Sequence, residues 1–176
     1  MMFFEKNDLS LLKFKAMTFD NSKTIISFRI KLFIATVLLL AYIVLNYVAK
    51  IIKLSLFGVN DIIWTLIFVA FWLFIAFLPM ILNYQFVYFS DDGENIVFRY
   101  FNAGIAGGRK NSIEINKRTF SGYKTETRLF GLDVSIILFQ KLGTGVAKYP
   151  PVHISALNRE QRAKIFRSLN QYIPKV

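Results

Sequence analysis

Two stretches of the chain carry no charge over about the thickness of a bilayer core, and they limit the folds open to it. Residues 32–49, LFIATVLLLAYIVLNYVA, run for 18 positions, and residues 62–82, IIWTLIFVAFWLFIAFLPMIL, for 21. As helices they would reach about 27 and 32 Å, against a hydrocarbon core about 30 Å thick. Neither run has a polar face, and both are fenced by charge at Arg29, Lys31, Lys50, Lys53 and Asp61. A pair of buried helices in a soluble protein fits this pattern poorly. A cleaved signal peptide fits no better: the first run starts late, is long, lacks a small-residue cleavage site and is followed by a second run. The expectation is a transmembrane helical hairpin over 32–82, with Pro79 near the end of its second helix, where a kink is easily accommodated.

Composition supports this and adds a direction. The chain is 55% hydrophobic, yet has 22 Lys and Arg against 11 Asp and Glu, for a net charge of +11. A chain both apolar and basic points to a membrane with anionic lipid rather than to nucleic acid. Six basic residues precede the first span (Lys6, Lys13, Lys15, Lys23, Arg29 and Lys31), the connecting segment 50–61 holds only Lys50 and Lys53, and 14 follow the second span. The positive-inside rule places both termini in the cytoplasm. There is no cysteine, which excludes disulfides, thiolate metal sites and a cysteine nucleophile.

Residues 1–31 read as a cytoplasmic N-terminal segment, and residues 83–176 as a soluble unit large enough for its own core. Its pattern is strand-like. YQFVYFS (84–90) enters the turn DDGEN, IVFRYF (96–101) returns, and RKNSIEI (109–115) and TFSGYKTETR (119–128) follow. VSIILFQ (134–140) has the continuous apolar character of a central strand, and KYPPVHIS (148–155) reads as a last strand. Then the period changes. Asn158 is a good N-cap with Gln161 at the capping-box position, and Ile165, Phe166, Leu169, Tyr172 and Ile173 form one apolar stripe of a 158–173 helix. Arg159, Arg162, Lys164 and Arg167 would take its solvated side.

This order of strands and one closing helix, placed after two spans, resembles the bacterial pleckstrin-homology-like (PH-like) membrane proteins. The resemblance rests on DDGENIVFRY, IEINKRTFSGYK, VSIILFQ and the NREQRAKIF helix, over about residues 83–173. It implies a membrane α-hairpin joined to a soluble α+β unit, an antiparallel β-sheet or barrel with one C-terminal amphipathic helix. It further implies a bacterial inner-membrane address, and carries no catalytic residues with it.

Several patterns invite chemistry. Residues 104–112, GIAGGRKNS, imitate a phosphate-binding loop, but the spacing GxxxxGK[ST] is missing and a strand follows, so a turn is expected. His153 is the only histidine; alternation in PVHIS sets it opposite Val152 and Ile154, outward and without a nameable carboxylate or hydroxyl partner. One histidine and no cysteine leave no ordinary zinc site. Asp91, Asp92 and Glu94 lack calcium-loop spacing and read as a solvated turn. Arg109, Lys110, Lys117, Arg118, Lys124 and Arg128 could form one patch facing lipid headgroups or a partner, or else a scattered solubilising surface. In the second span Trp64, Phe68, Phe71 and Trp72 offer shape for packing against another helix. Neither span holds an ionisable residue of the kind that marks ion or proton paths. No cofactor or metal is expected. Two readings remain: a non-enzymatic interaction module serving as subunit or accessory of a larger membrane assembly, or an anionic-lipid-binding sensor or regulator.

Overall fold

The computed structural model describes residues 16–50, 60–104 and 108–174. Two long helices dominate one end. α1 (Ser22–Ile43) passes into a π-helical turn, Val44–Val48, and α2 (Asp61–Ile81) starts on the side chain of Asn60, which accepts the Ile62 N–H. Both are long and apolar enough to cross a membrane, and almost none of their apolar surface is buried within the protein. A core helix of a soluble domain would be covered; these face outward. Some of the polar groups they carry fasten them to each other. The Thr36 hydroxyl donates to the Leu32 carbonyl and accepts the Trp72 indole N–H at 2.9 Å. The hydroxyls of Tyr42 and Tyr47 meet that of Thr65 at 3.3 and 2.8 Å. Such bonds tie helices together where an apolar surrounding supplies no competing partner.

The first helix begins at Ser22, ten residues before the uncharged run. In this first part Ile25 is buried with Ala103 and Ala156, with Tyr84 packed against them, so the start of α1 contacts the sheet residues. Upstream, β1 (Thr18–Asp20) pairs antiparallel with β2 (Gln85–Ser90), Thr18 opposite Ser90. β1 and the first turns of α1 thus lie within the N-terminal segment 1–31 and contact the sheet residues.

β2, β3 (Asn95–Asn102) and β4 (Asn111–Asn116) complete a sheet ordered β1-β2-β3-β4. The DDGEN turn joins β2 to β3, with Gly93 at φ 72°, where a side chain would be strained. A second sheet holds β5 (Phe120–Arg128), β6 (Asp133–Leu142), β7 (Gly145–Lys148) and β8 (Val152–His153). β7 and β8 pair with successive parts of the same edge of β6. The stretch 148–155 is thus not one strand; Pro150 and Pro151 interrupt it, having no N–H for the ladder. β4 and β5, consecutive in the chain, lie in different sheets, and the two sheets do not close into a barrel. Their inner faces enclose Val87, Phe89, Ile96, Phe98, Ile115, Phe120, Ile136 and Leu138.

α3 (Arg159–Tyr172) covers this core with Ile165 and Leu169, both fully buried, and its capping box between Asn158 and Gln161 is formed as the sequence predicts. Phe166 is only half-buried, stacked on Tyr123 at 5.7 Å between centroids. Arg162 departs from the solvated face assigned to it. Its guanidinium donates to the carbonyls of Leu157 and Ser155 at 3.0 and 2.7 Å, and burial lowers its pKa.

Candidate functional site

The junction between the long helices and the sheets holds the densest polar chemistry of the described residues. α2 ends at Ile81, and Asn83 turns the chain with φ 48°, a left-handed conformation that asparagine tolerates. Its amide donates to Asp133 Oδ2 at 3.0 Å. Asp133 opens β6 and is buried; its Oδ1 also meets His153 Nδ1 at 2.9 Å and accepts the Ser155 hydroxyl at 3.0 Å. Gln85, first in β2, accepts the His153 backbone N–H through Oε1 and donates to Asn102 through Nε2. Burial of the Asp133 carboxyl works against ionisation, but the hydrogen bonds from His153, Asn83 and Ser155 prevail and hold its pKa below the ordinary carboxylate range.

An aspartate, a histidine and a serine together invite comparison with a nucleophilic relay. The connectivity is wrong for one. A relay needs the hydroxyl on the imidazole, with the carboxylate behind it. Here the Ser155 hydroxyl donates to the carboxylate itself and accepts the Val134 N–H at 3.0 Å. The cluster is a latch: it fastens the exit of α2 to the heads of β6 and β8.

His153 corrects the sequence reading. Alternation does set it opposite the buried Val152 and Ile154, yet the face it occupies looks onto the junction rather than water, and both a carboxylate and a hydroxyl converge there. The missed signal lay in residue types 20 positions apart, Asp133 and His153, joined only by the β6–β8 pairing. Asp91 is a second correction. It is buried, accepting the Met17 N–H and the Ser168 hydroxyl, and so ties β1 to α3; only Asp92 and Glu94 are solvated. On the same flank, Asn21 extends the β1–β2 ladder with its side chain. It accepts the Val87 N–H and donates to the Gln85 carbonyl, both at 2.9 Å.

The six cations proposed from sequence do not gather in one place. Arg109 and Lys110 lead into β4, at the end of the first sheet nearest the long helices, where Asn111 pairs with Tyr100. Lys117 and Arg118 lie at the opposite end. There the Lys117 ammonium donates to the carbonyls of Asp91 and Gly93 and sits 4.7 Å above the Tyr172 ring, so it serves the fold. Lys124 and Arg128 on β5 flank Glu126 at 3.2 and 4.0 Å. Lys110 does join another set. With Arg99, Phe86, Tyr88, Phe101 and Ser112 it lines a groove of about 390 Å³ on the outer face of the first sheet. Phe86 and Phe101 stack there at 4.7 Å, and the Arg99 guanidinium lies 5.7 Å from the Tyr88 ring centre.

Within 104–112, residues 105–107 lie outside the described residues, so the turn itself is not described. Gly108 has its own reason to be glycine: a Cβ there would come within 2.8 Å of the Asn102 backbone nitrogen. The aromatic residues of α2 divide between two faces. Phe68 and Trp72 turn toward α1, where Phe68 meets Tyr42 edge-on at 5.0 Å; Trp64 packs against Phe68, and Phe71, largely exposed, lines a groove with Leu38, Leu39 and Tyr42 of α1, while Phe74 and Phe77 are exposed. Compared with protein-family models, with curated proteins and with solved structures, the chain matches none.

Proposed function

We propose that this chain is an integral protein of a bacterial inner membrane, with both termini in the cytoplasm. On this reading it carries a PH-like domain as a non-enzymatic interaction module, the subunit or accessory of a larger membrane assembly. The observation that carries the reading is the latch at Asn83, Asp133, His153 and Ser155. A module on a loose tether binds its partner with the domain alone. Here the domain is bonded directly to the exit of α2, so spans and sheets form one body that a partner can grip at two levels. Two features fit such a partner: the outward aromatic residues Phe71, Phe74 and Phe77 on α2, and the edge of β4, which among the described residues pairs only with β3. Extraction in several mild detergents, followed by sizing and mass spectrometry of companions, tests it. Stable co-elution of another membrane protein is expected, and a bare monomer in every detergent would overturn the reading.

The groove containing Lys110 and Arg99 favours a second reading, an anionic-lipid sensor, since cations set among aromatic rings suit a phosphate on an amphiphile. Thermal stabilisation of the purified protein by phosphatidylglycerol, lost in high salt and in Lys110→Ala, would support it. Equal stabilisation by phosphatidylcholine would argue against it.

A further inference from the structure

The β5–β6 connection runs Arg128, Leu129, Phe130, Gly131, Leu132, Asp133, and its residues are ill suited to a tight turn. Leu129 and Phe130 both adopt positive φ, 50° and 54°, a region that glycine and asparagine enter easily and bulky side chains do not. Nor do their side chains serve the core. Phe130 is fully exposed at 108%, and Leu129 and Leu132 stand 45% and 61% exposed. Three large apolar side chains on a strained turn, all facing out, mark a contact surface.

Position in the fold says what the contact is. The last rung of the β5–β6 ladder is Arg128 opposite Asp133, and Asp133 is bonded to Asn83, two residues past the end of α2. From that rung the strands run away toward the Gly143 turn; the 129–132 turn projects the other way, from the rung that Asn83 holds just past the exposed Met80 and Ile81 of α2. We propose that Leu129, Phe130 and Leu132 insert into the interfacial layer of the same bilayer that α1 and α2 cross, with Arg128 at headgroup level. The domain then has a third foothold that enters the membrane without spanning it. Aromatic and leucine side chains backed by a cation are the composition that partitions to this layer. The inference rests on α1 and α2 being membrane spans and is independent of any protein partner.

The absence of cysteine makes the test direct. Single variants Phe130→Cys, Leu132→Cys, Val146→Cys and Leu38→Cys of the full chain are spin-labelled and placed in nanodiscs of phosphatidylcholine and phosphatidylglycerol. Collision with oxygen, which concentrates in lipid, is compared with collision with a water-soluble nickel complex. Labels at Phe130 and Leu132 should show an oxygen-to-nickel ratio severalfold above that at Val146, in β7 beside the remote turn, and below that at Leu38, in mid-span. A ratio at both turn positions equal to that at Val146, with Leu38 reporting lipid, overturns the insertion alone. Water-like values at Leu38 as well would overturn the spans, and the insertion with them.

Discussion

Replacing Asp133 by alanine withdraws one acceptor from three donors. The Ser155 hydroxyl, buried, is the worst placed, although it keeps the Val134 N–H and has the Val134 carbonyl 3.5 Å away. His153 is half-buried, and the exposed Asn83 amide recovers water readily. A hydrogen bond to an ionised group contributes about 1.5–3 kcal/mol. Three such bonds, with partial rescue of two donors, bring the expected loss to about 3–5 kcal/mol. Asp133→Asn keeps the shape and one acceptor oxygen and should lose less. The assay is urea unfolding of the full chain in detergent micelles, followed by the β-sheet circular dichroism of the domain. The same titration carries a pH signature. Because the folded carboxyl is held below its ordinary pKa, its contribution is complete above the ordinary range and disappears as pH falls through the lowered value. The stability gap between wild type and Asp133→Asn should therefore close toward acid. A loss below about 0.5 kcal/mol for Asp133→Ala, as for an ordinary surface change, would refute the latch. A gap that stays constant into acid would refute the charge on it.

Other outcomes follow from the same contacts. Asn21→Ala leaves the Val87 N–H and the Gln85 carbonyl without these side-chain partners and should destabilise the domain by about 2–4 kcal/mol, with faster amide exchange at Val87 as the readout. Leu169→Ala opens a cavity in a fully buried site, for about 2–5 kcal/mol in the same urea titration, whereas Phe166→Ala, half-buried, should cost clearly less; equal losses would contradict the packing of α3. Lys117→Met should lower stability while leaving binding to anionic lipid unchanged, since its ammonium is engaged by carbonyls and a ring; a loss of lipid binding in a stably folded variant would contradict that assignment. A reporter fused after Val176 should be active only when it functions in the cytoplasm, and activity confined to the outside would reverse the proposed topology.

Features carried by neighbours in sequence were legible from the residues alone. Uncharged runs of 18 and 21 residues favour apolar helices, because length and hydropathy are properties of the run itself. The DDGEN hairpin, the apolar strand at 134–140 and the Asn158–Gln161 capping box all formed where local pattern placed them. Local pattern did not show that the helix carrying the first run begins at Ser22, where Ile25 is buried with the distant Ala103 and Ala156.

The candidate sites were less legible for the same reason. Asp91 sits in a stretch whose composition says solvent, and only the return of α3 brings Ser168 onto it. His153 alternates outward as its strand requires, but outward is a direction and not an environment; the β6–β8 register and the exit of α2 make that environment a junction. The six cations are spread over two sheets that the sequence could not separate, because nothing in IEINKRTFSGYK announces that β4 and β5 part company. Sequence alone determined the two long apolar helices and the apolar patterning of the strands, since these arise from backbone periodicity and hydropathy within a few residues. Which buried charges find partners, and which apolar side chains are left facing out at Phe130, was decided only when segments far apart in the chain were packed together.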